Sequence, residues 1–192
     1  MPLFGRRWHP VTGRRWLLER LPKASVGAEI GVWQGDFSAA ILDVVQPRLL
    51  HLIDPWQRAS DESHSGALFD RPQADLDGIA ELVQARFAKR IAAGHVVIHR
   101  ATSAAAATEL GRASLDWAYV DGDHAYEAVQ GDLATYAKVV RPGGFVAGDD
   151  YRRGGMYHSG VKRAVDEAVA TGLLELVVQR DRQFLLRVPD KD

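Results

Sequence analysis

Short apolar runs alternate along this chain with longer stretches in which apolar residues recur every three or four positions. The runs fall at 26–31 (VGAEIG), 49–54 (LLHLID), 95–100 (HVVIHR), 115–121 (LDWAYVD) and 143–150 (GGFVAGDD), each of a length suited to a buried strand. Between them, DFSAAILDVV sets Phe37, Ile41, Leu42 and Val45 on one helical stripe, and 75–92 reads as a helix closed by a left-handed cap at Gly94. SAAAATEL reads as a helix with Ser103 as its N-cap, and 125–140 sets Tyr126, Val129, Leu133 and Ala137 on one face ahead of Pro142. A helix over 159–171 turns Val161, Ala164, Val165, Ala168 and Val169 inward, with Gly172 just past its end. The closing runs LLELVVQ and FLLRV, joined by RDR, predict an antiparallel hairpin, and a short helix is predicted ahead of Pro22. Strands alternating with helices in this way imply a mostly parallel sheet with right-handed crossovers, a three-layer doubly wound α/β fold. We expect one domain over 1–192, with a lead-in at 1–24 and, at 55–72, a polar connection long enough to be a lid.

In such a sheet, ligands bind outside the carboxyl ends of the strands, where strand order reverses. Four of the five parallel strand ends carry an acid: Glu29, Asp54, Asp121 and the pair Asp149–Asp150. Adjacent carboxylates repel by roughly 4 kcal/mol at about 4 Å and an effective dielectric near 20, so the pair calls for solvent or a positive partner. If the fourth and fifth strands are parallel neighbours, about 4.8 Å apart, Asp121 comes beside Asp149 and Asp150. Three converging carboxylates would suit a hard divalent cation, Mg²⁺ foremost, with Mn²⁺ or Ca²⁺ as alternatives. The other reading is that one aspartate turns the backbone and the rest are solvated. Near the first strand, Gly31 and Gly35 permit a tight turn, and Asp54 stands where a second-strand acid usually meets ribose hydroxyls. Together they suggest a nucleoside with a cationic head group, the alternative being a turn with solvated acids.

Composition narrows this further. With 24 Lys and Arg against 25 Asp and Glu, the net charge of −1 offers no bulk attraction to nucleic acid or to an anionic membrane. Neither partner is expected. The absence of cysteine excludes disulfides and thiolate metal sites. No window approaches the length of a membrane span, and the basic N-terminus lacks a signal-peptide core, so a cytoplasmic location is expected. A homo-oligomer is compatible with the sequence but is not specified by it.

The segments AEIGVWQGDFS, LIDPW and LDWAYVDGDHAYEAVQGDLATYAKVVRPGGFVAGDDY resemble class I S-adenosylmethionine-dependent methyltransferases, whose fold is Rossmann-like. The resemblance is to the branch holding metal-dependent macrolide and aminocoumarin sugar O-methyltransferases, and it runs from Val26 to Tyr151. It implies S-adenosylmethionine as cofactor, with Glu29, Gly31, Gly35 and Ser38 matching the motif that holds its methionine portion. Asp54 matches the acid for the ribose, Thr102 and Ser103 the contact to the adenine edge, and Asp121 a further cofactor contact. Asp121, Asp149 and Asp150 match the metal-binding acids.

The chemistry implied is alignment of an electrophilic methyl with an oxygen nucleophile whose proton must leave. A divalent ion would both lower the pKa of that hydroxyl and orient it. His124 and Asp121 are the expected catalytic residues, His124 as general base or orienting group; a helix-start residue bonded to a nearby loop is the alternative for His124. His158 and either Arg152 or Arg153 are expected to border the acceptor, a small molecule. Trp33 and Trp56 either stack on a ligand or wedge loops into the core, and packing is the preferred reading for Trp33. His51, His95 and His99 read as ordinary core or edge residues, and Arg6, Arg7, Arg14 and Arg15 as a solvated face or a contact to an anion or subunit. Competing readings are a metal-independent methyltransferase, a noncatalytic nucleoside-binding module, and a nicotinamide oxidoreductase, the last disfavoured because no G-x-G-x-x-G loop is present.

Overall fold

The structure is a computed structural model that describes residues 13–57, 71–152 and 158–190. Its elements run α1 (Arg15–Leu18), β1 (Val26–Ile30), α2 (Asp36–Val44), β2 (Leu49–Ile53), α3 (Gln73–Ala92), β3 (Val96–His99), α4 (Ser103–Leu110), β4 (Leu115–Val120), α5 (Tyr126–Val139), β5 (Val140–Gly148), α6 (His158–Ala170), β6 (Glu175–Arg180) and β7 (Gln183–Arg187). The strands form one seven-stranded sheet in the order β3-β2-β1-β4-β5-β7-β6. β1 to β5 are mutually parallel; β7 is inserted antiparallel beside β5, with β6 at the edge.

Each sheet face carries its own core. On one face α4, α5 and α6 bury Ala106, Val129, Leu133, Tyr136, Val161 and Val165 against β1, β4 and β5. On the other, α1, α2 and α3 bury Leu17, Leu18, Phe37, Ile41, Val83 and Phe87 against Leu50, Trp117 and Tyr119. The helix–sheet–helix sandwich is therefore the three-layer doubly wound α/β architecture that the pattern predicts, closed by the expected antiparallel hairpin. Among the described residues no helix is long and apolar enough to cross a membrane.

Two local expectations are corrected. The N-cap of α4 is Thr102, not Ser103: Thr102 has an extended backbone and its Oγ1 accepts from the Ala105 N–H at 3.3 Å. Ser103 is already helical, and its hydroxyl donates to Asp132, which is buried on α5. β5 starts at Val140, directly out of α5, rather than after Pro142. Val140 pairs with Leu115 and Phe145 with Trp117, so 141–144 bulge from the ladder, and Pro142, which has no N–H to give, sits within the bulge. Most of the expected lid at 55–72 and the first half of the lead-in lie outside the described residues.

Candidate active site

Strand order reverses between β1 and β4, and there the two backbones nearly touch. Gly31 has φ +89°, and a Cβ on it would lie 2.2 Å from the Asp121 carbonyl oxygen. The Asp121 N–H in turn donates to the Ile30 carbonyl at 2.8 Å. Only a residue without a side chain permits that approach, so the glycine of the first motif is required by the crossing of two strand ends. Gly35, at φ +77°, then opens α2 under the ring of Phe87.

Asp54 shapes the turn between them. Its Oδ2 accepts the N–H groups of Val32 and Trp33 at 3.0 Å each, and its Oδ1 accepts that of Trp56 at 2.8 Å. Burial raises its pKa against the pull of these three bonds. A carboxylate has about four acceptor positions, so with three in use one remains for a ribose hydroxyl. Below the turn, Glu29 is fully enclosed and accepts the Ser38 hydroxyl at 2.5 Å. Burial pushes its carboxyl up to about 8, so the acid is mostly protonated at neutral pH. Trp56 is buried and its Nε1 donates to the Trp33 carbonyl, while Trp33 packs at the edge of the α2–α3 core, the packing role expected for it. Thr102 and Ser103 are committed to the α4 cap and to Asp132, which leaves Thr102 Oγ1 with a spare acceptor position toward solvent.

Across the crevice, β4 and β5 pair with Val120 opposite Gly148, so Asp121 and Asp149 emerge side by side as the parallel register requires. The positive partner that the aspartates call for is Arg14. Its Nη1 reaches Asp121 Oδ2 at 2.5 Å, and its Nη2 pairs with Asp149 Oδ2. Burial alone would lower the pKa of Arg14, but Tyr119, Asp121 and Asp149 around it raise it instead. For Asp149, burial raises the pKa and Arg14 opposes that. Asp150, at φ +59°, turns the other way and its Oδ1 pairs with Arg182 from the β6–β7 turn, with Arg152 Nε at 3.8 Å.

The remaining oxygens of Asp121 and Asp150 face each other across His124. Its Nε2 lies 3.7 Å from Asp121 Oδ1 and its Nδ1 lies 3.5 Å from Asp150 Oδ2. The bond to Asp121 and the field of Asp150 raise the His124 pKa against its burial. Ligand atoms of Asp121, His124 and Asp150 lie within 4.8 Å of one another, a mixed oxygen–nitrogen set that suits Mn²⁺ better than Mg²⁺ or Ca²⁺, which both prefer oxygen ligands alone. Asp149, turned to Arg14, is not part of that group.

Beside this cluster a surface cavity of about 570 Å³ opens between Arg152 and the α6 residues Ser159, Lys162, Arg163 and Asp166. Gly160 lets α6 close in, since a Cβ there would lie 2.5 Å from the His124 carbonyl. Arg153 and the His158 side chain, expected nearby, lie outside the described residues. His51 and His99 pair with each other at 3.0 Å across β2 and β3. Sequence reasoning missed Arg182 altogether, and it read Arg14 as part of a solvated face or of a contact to an anion or subunit, without linking it to these aspartates. The unbalanced acids signalled that cations were needed, but GRRW occurs at both 5–8 and 13–16, and nothing local distinguishes the two.

A glycine turn at the switch point, a second-strand acid beside it and no G-x-G-x-x-G pyrophosphate loop are the features expected of the methyltransferase class. The family model described as "Methyltransferase domain" matches residues 28–151, and the chain belongs to that family. It is thus a class I S-adenosylmethionine-dependent methyltransferase. No curated protein matches this sequence. Among solved structures, the O-methyltransferase TomG of Streptomyces achromogenes, involved in tomaymycin synthesis and bound to S-adenosylmethionine, superposes with a TM-score of 0.66 at 17% identity, covering 98% of this chain and 83% of that one. An O-methyltransferase of Bacillus cereus in complex with S-adenosylhomocysteine gives 0.63 at 10% identity over 97% and 84% of the two chains. The 1,6-didemethyltoxoflavin-N1-methyltransferase of Burkholderia thailandensis gives 0.60 at 15% identity over 95% and 79%. The shared fold thus serves oxygen and nitrogen acceptors alike.

Proposed function

We propose that this chain methylates a hydroxyl group of a small molecule and that a divalent ion at Asp121, His124 and Asp150 assists. The observation that carries the reading is the convergence of Asp121 Oδ1 and Asp150 Oδ2 on His124, at 3.7 and 3.5 Å, beside the Gly31–Gly35 turn. S-adenosylmethionine supplies an electrophilic methyl when bound. Gly31 and Gly35 would hold its methionine end, with the enclosed Glu29–Ser38 pair supporting that turn from beneath, Asp54 its ribose, and Thr102 and Ser103 the adenine edge. Asp121 and Asp150 direct a hydroxyl. With the ion bound, His124 is its third ligand and the hydroxyl pKa is lowered; without the ion, a neutral His124 would accept the proton. Between two carboxylates the imidazole is also held in place as an orienting group. The α6 cavity, which shares Arg152 with the acid cluster, would take the body of the acceptor.

Metal-independent transfer is the second reading, favoured by one observation: Arg14 and Arg182 already pair with all three aspartates. Calorimetric titration of S-adenosylhomocysteine with and without Mg²⁺, followed by mass-spectrometric detection of methyl transfer to vicinal diols, separates the two. Transfer that stops with a chelator supports the ion. Transfer indifferent to it removes the ion and leaves the second reading. No binding of S-adenosylhomocysteine under either condition overturns both.

A further inference from the structure

We infer that Arg14 is a built-in positioning cation: its guanidinium takes the bridging place between Asp121 and Asp149, so that Asp149 is a structural partner and, among the described residues, the Asp121–His124–Asp150 side is the one left to an ion or a substrate hydroxyl. The inference deepens the proposed function, on which it rests for the location of the reacting group, but its evidence is ion-pair geometry.

Three observations hold Arg14 in place. The segment is anchored from below, because α1 follows at once and its Leu17 and Leu18 are wholly buried in the core beneath α2. It is tied from the side, because Gln183 Nε2 at the start of β7 donates to the Gly13 carbonyl at 3.4 Å. The guanidinium also lies over the Phe37 ring, 5.0 Å from its centre, and its side chain is only 13% exposed. Arg182, on the far side of Asp150, is 42% exposed by comparison.

The fork of a guanidinium suits this task. Its two terminal nitrogens engage one oxygen from each of two strand ends, and the geometry is rigid where a lysine's would not be. The division of oxygens follows. Asp121 gives Oδ2 to Arg14 and keeps Oδ1 toward His124; Asp150 gives Oδ1 to Arg182 and keeps Oδ2 toward His124. Asp149 Oδ2 is spent on Arg14. A hydroxyl approaching from the Asp149 side meets a guanidinium, which donates hydrogen bonds and cannot take a proton. The productive approach is from the His124 side, next to the α6 cavity.

Mn²⁺ alone is the probe, titrated by calorimetry and by the loss of its free-ion paramagnetic resonance signal, with S-adenosylhomocysteine binding as the check that each variant is folded. Asp150→Asn is expected to weaken Mn²⁺ binding about tenfold, while Asp149→Asn changes it by less than about threefold. Arg14→Gln, which frees the Asp121–Asp149 pair, is expected to bind Mn²⁺ about tenfold more tightly or to take up a second ion. Adding Asp149→Asn to it should cancel the gain. If the native chain binds no Mn²⁺, the gain in Arg14→Gln and its cancellation decide. Should Arg14→Gln fail to bind S-adenosylhomocysteine, Arg14→Lys, with a smaller gain, takes its place. The inference is overturned if Asp149→Asn weakens binding as much as Asp150→Asn. It is overturned equally if the folded Arg14 variant gains nothing. A chain that binds no S-adenosylhomocysteine in any form would instead overturn the methyl-transfer reading.

Discussion

The two halves of the site are built by different means. The half proposed to hold the cofactor, from Glu29 to Asp54, is a shaped backbone turn: a glycine pair, an acid that ties three N–H groups, and a protonated Glu29 under Ser38, all drawn from one β–α–β unit. The acid half is made of side-chain charge gathered from residues 14, 121, 124, 149, 150, 152 and 182, delivered by four segments: the lead-in to α1, the β4–α5 turn, the end of β5 and the β6–β7 turn. A backbone site tolerates little change in shape but little depends on ions around it. A charge site keeps its shape only while its cations and anions stay balanced.

Substitution can break that contrast, and the largest effect is expected on the backbone side. Gly31→Ala would set a Cβ against the Asp121 carbonyl at a positive φ, costing roughly 4 kcal/mol from overpacking and strain together, and urea denaturation would measure it. A loss under about 1 kcal/mol would mean that the two strand ends can part.

Next is Glu29. Its folded pKa is raised from 4.5 to about 8, so between those values the folded chain holds a proton that the unfolded chain has released. Stability should therefore fall as pH rises, on the order of 3 kcal/mol between pH 5 and 7.5, and Glu29→Gln should flatten that slope. Parallel slopes for the two proteins would show that Glu29 is not the group responsible.

Asp54→Asn should cost about 2 kcal/mol, because an amide turns a donor toward an N–H that the carboxylate had accepted, and it should weaken S-adenosylhomocysteine binding in the same titration. The smallest effect is expected from Arg86→Ala. Its pair with Asp36 is 40% and 61% exposed, so thermal unfolding should move by no more than about 0.5 kcal/mol even though the bond lies at the mouth of the cofactor turn.

Much of the fold was legible because its signals are local. Apolar runs and helical stripes marked all five parallel strands and the helices between them, and Gly94 and Gly172 stand at the positive φ that a helix end calls for. The errors were local too. Thr102 and Ser103 are both good caps, and which one serves depends on Asp132, an acid buried on a helix 29 positions away. Pro142 pointed to a break between α5 and β5, yet the strand begins earlier because a bulge absorbs the missing N–H. In the site, Asp121 and Asp149 were legible as neighbours once β4 and β5 were taken as parallel. Their counter-ion was not, since the four arginines of the lead-in have nearly the same surroundings in sequence.

The sequence by itself determined the order of strands and helices, the acids at the strand ends and the glycine turn at the cofactor side, because each is encoded by periodicity or backbone freedom within a few residues. Only the tertiary structure decided that Arg14, 107 positions from Asp121, closes the acid pair, and that His124 rather than Asp149 completes the converging group. The physical reason is that a charge pair needs only distance and desolvation. Both arise when the core seats α1 and when the sheet brings β4, β5 and the β6–β7 turn to one end, and neither leaves a periodic trace along the chain.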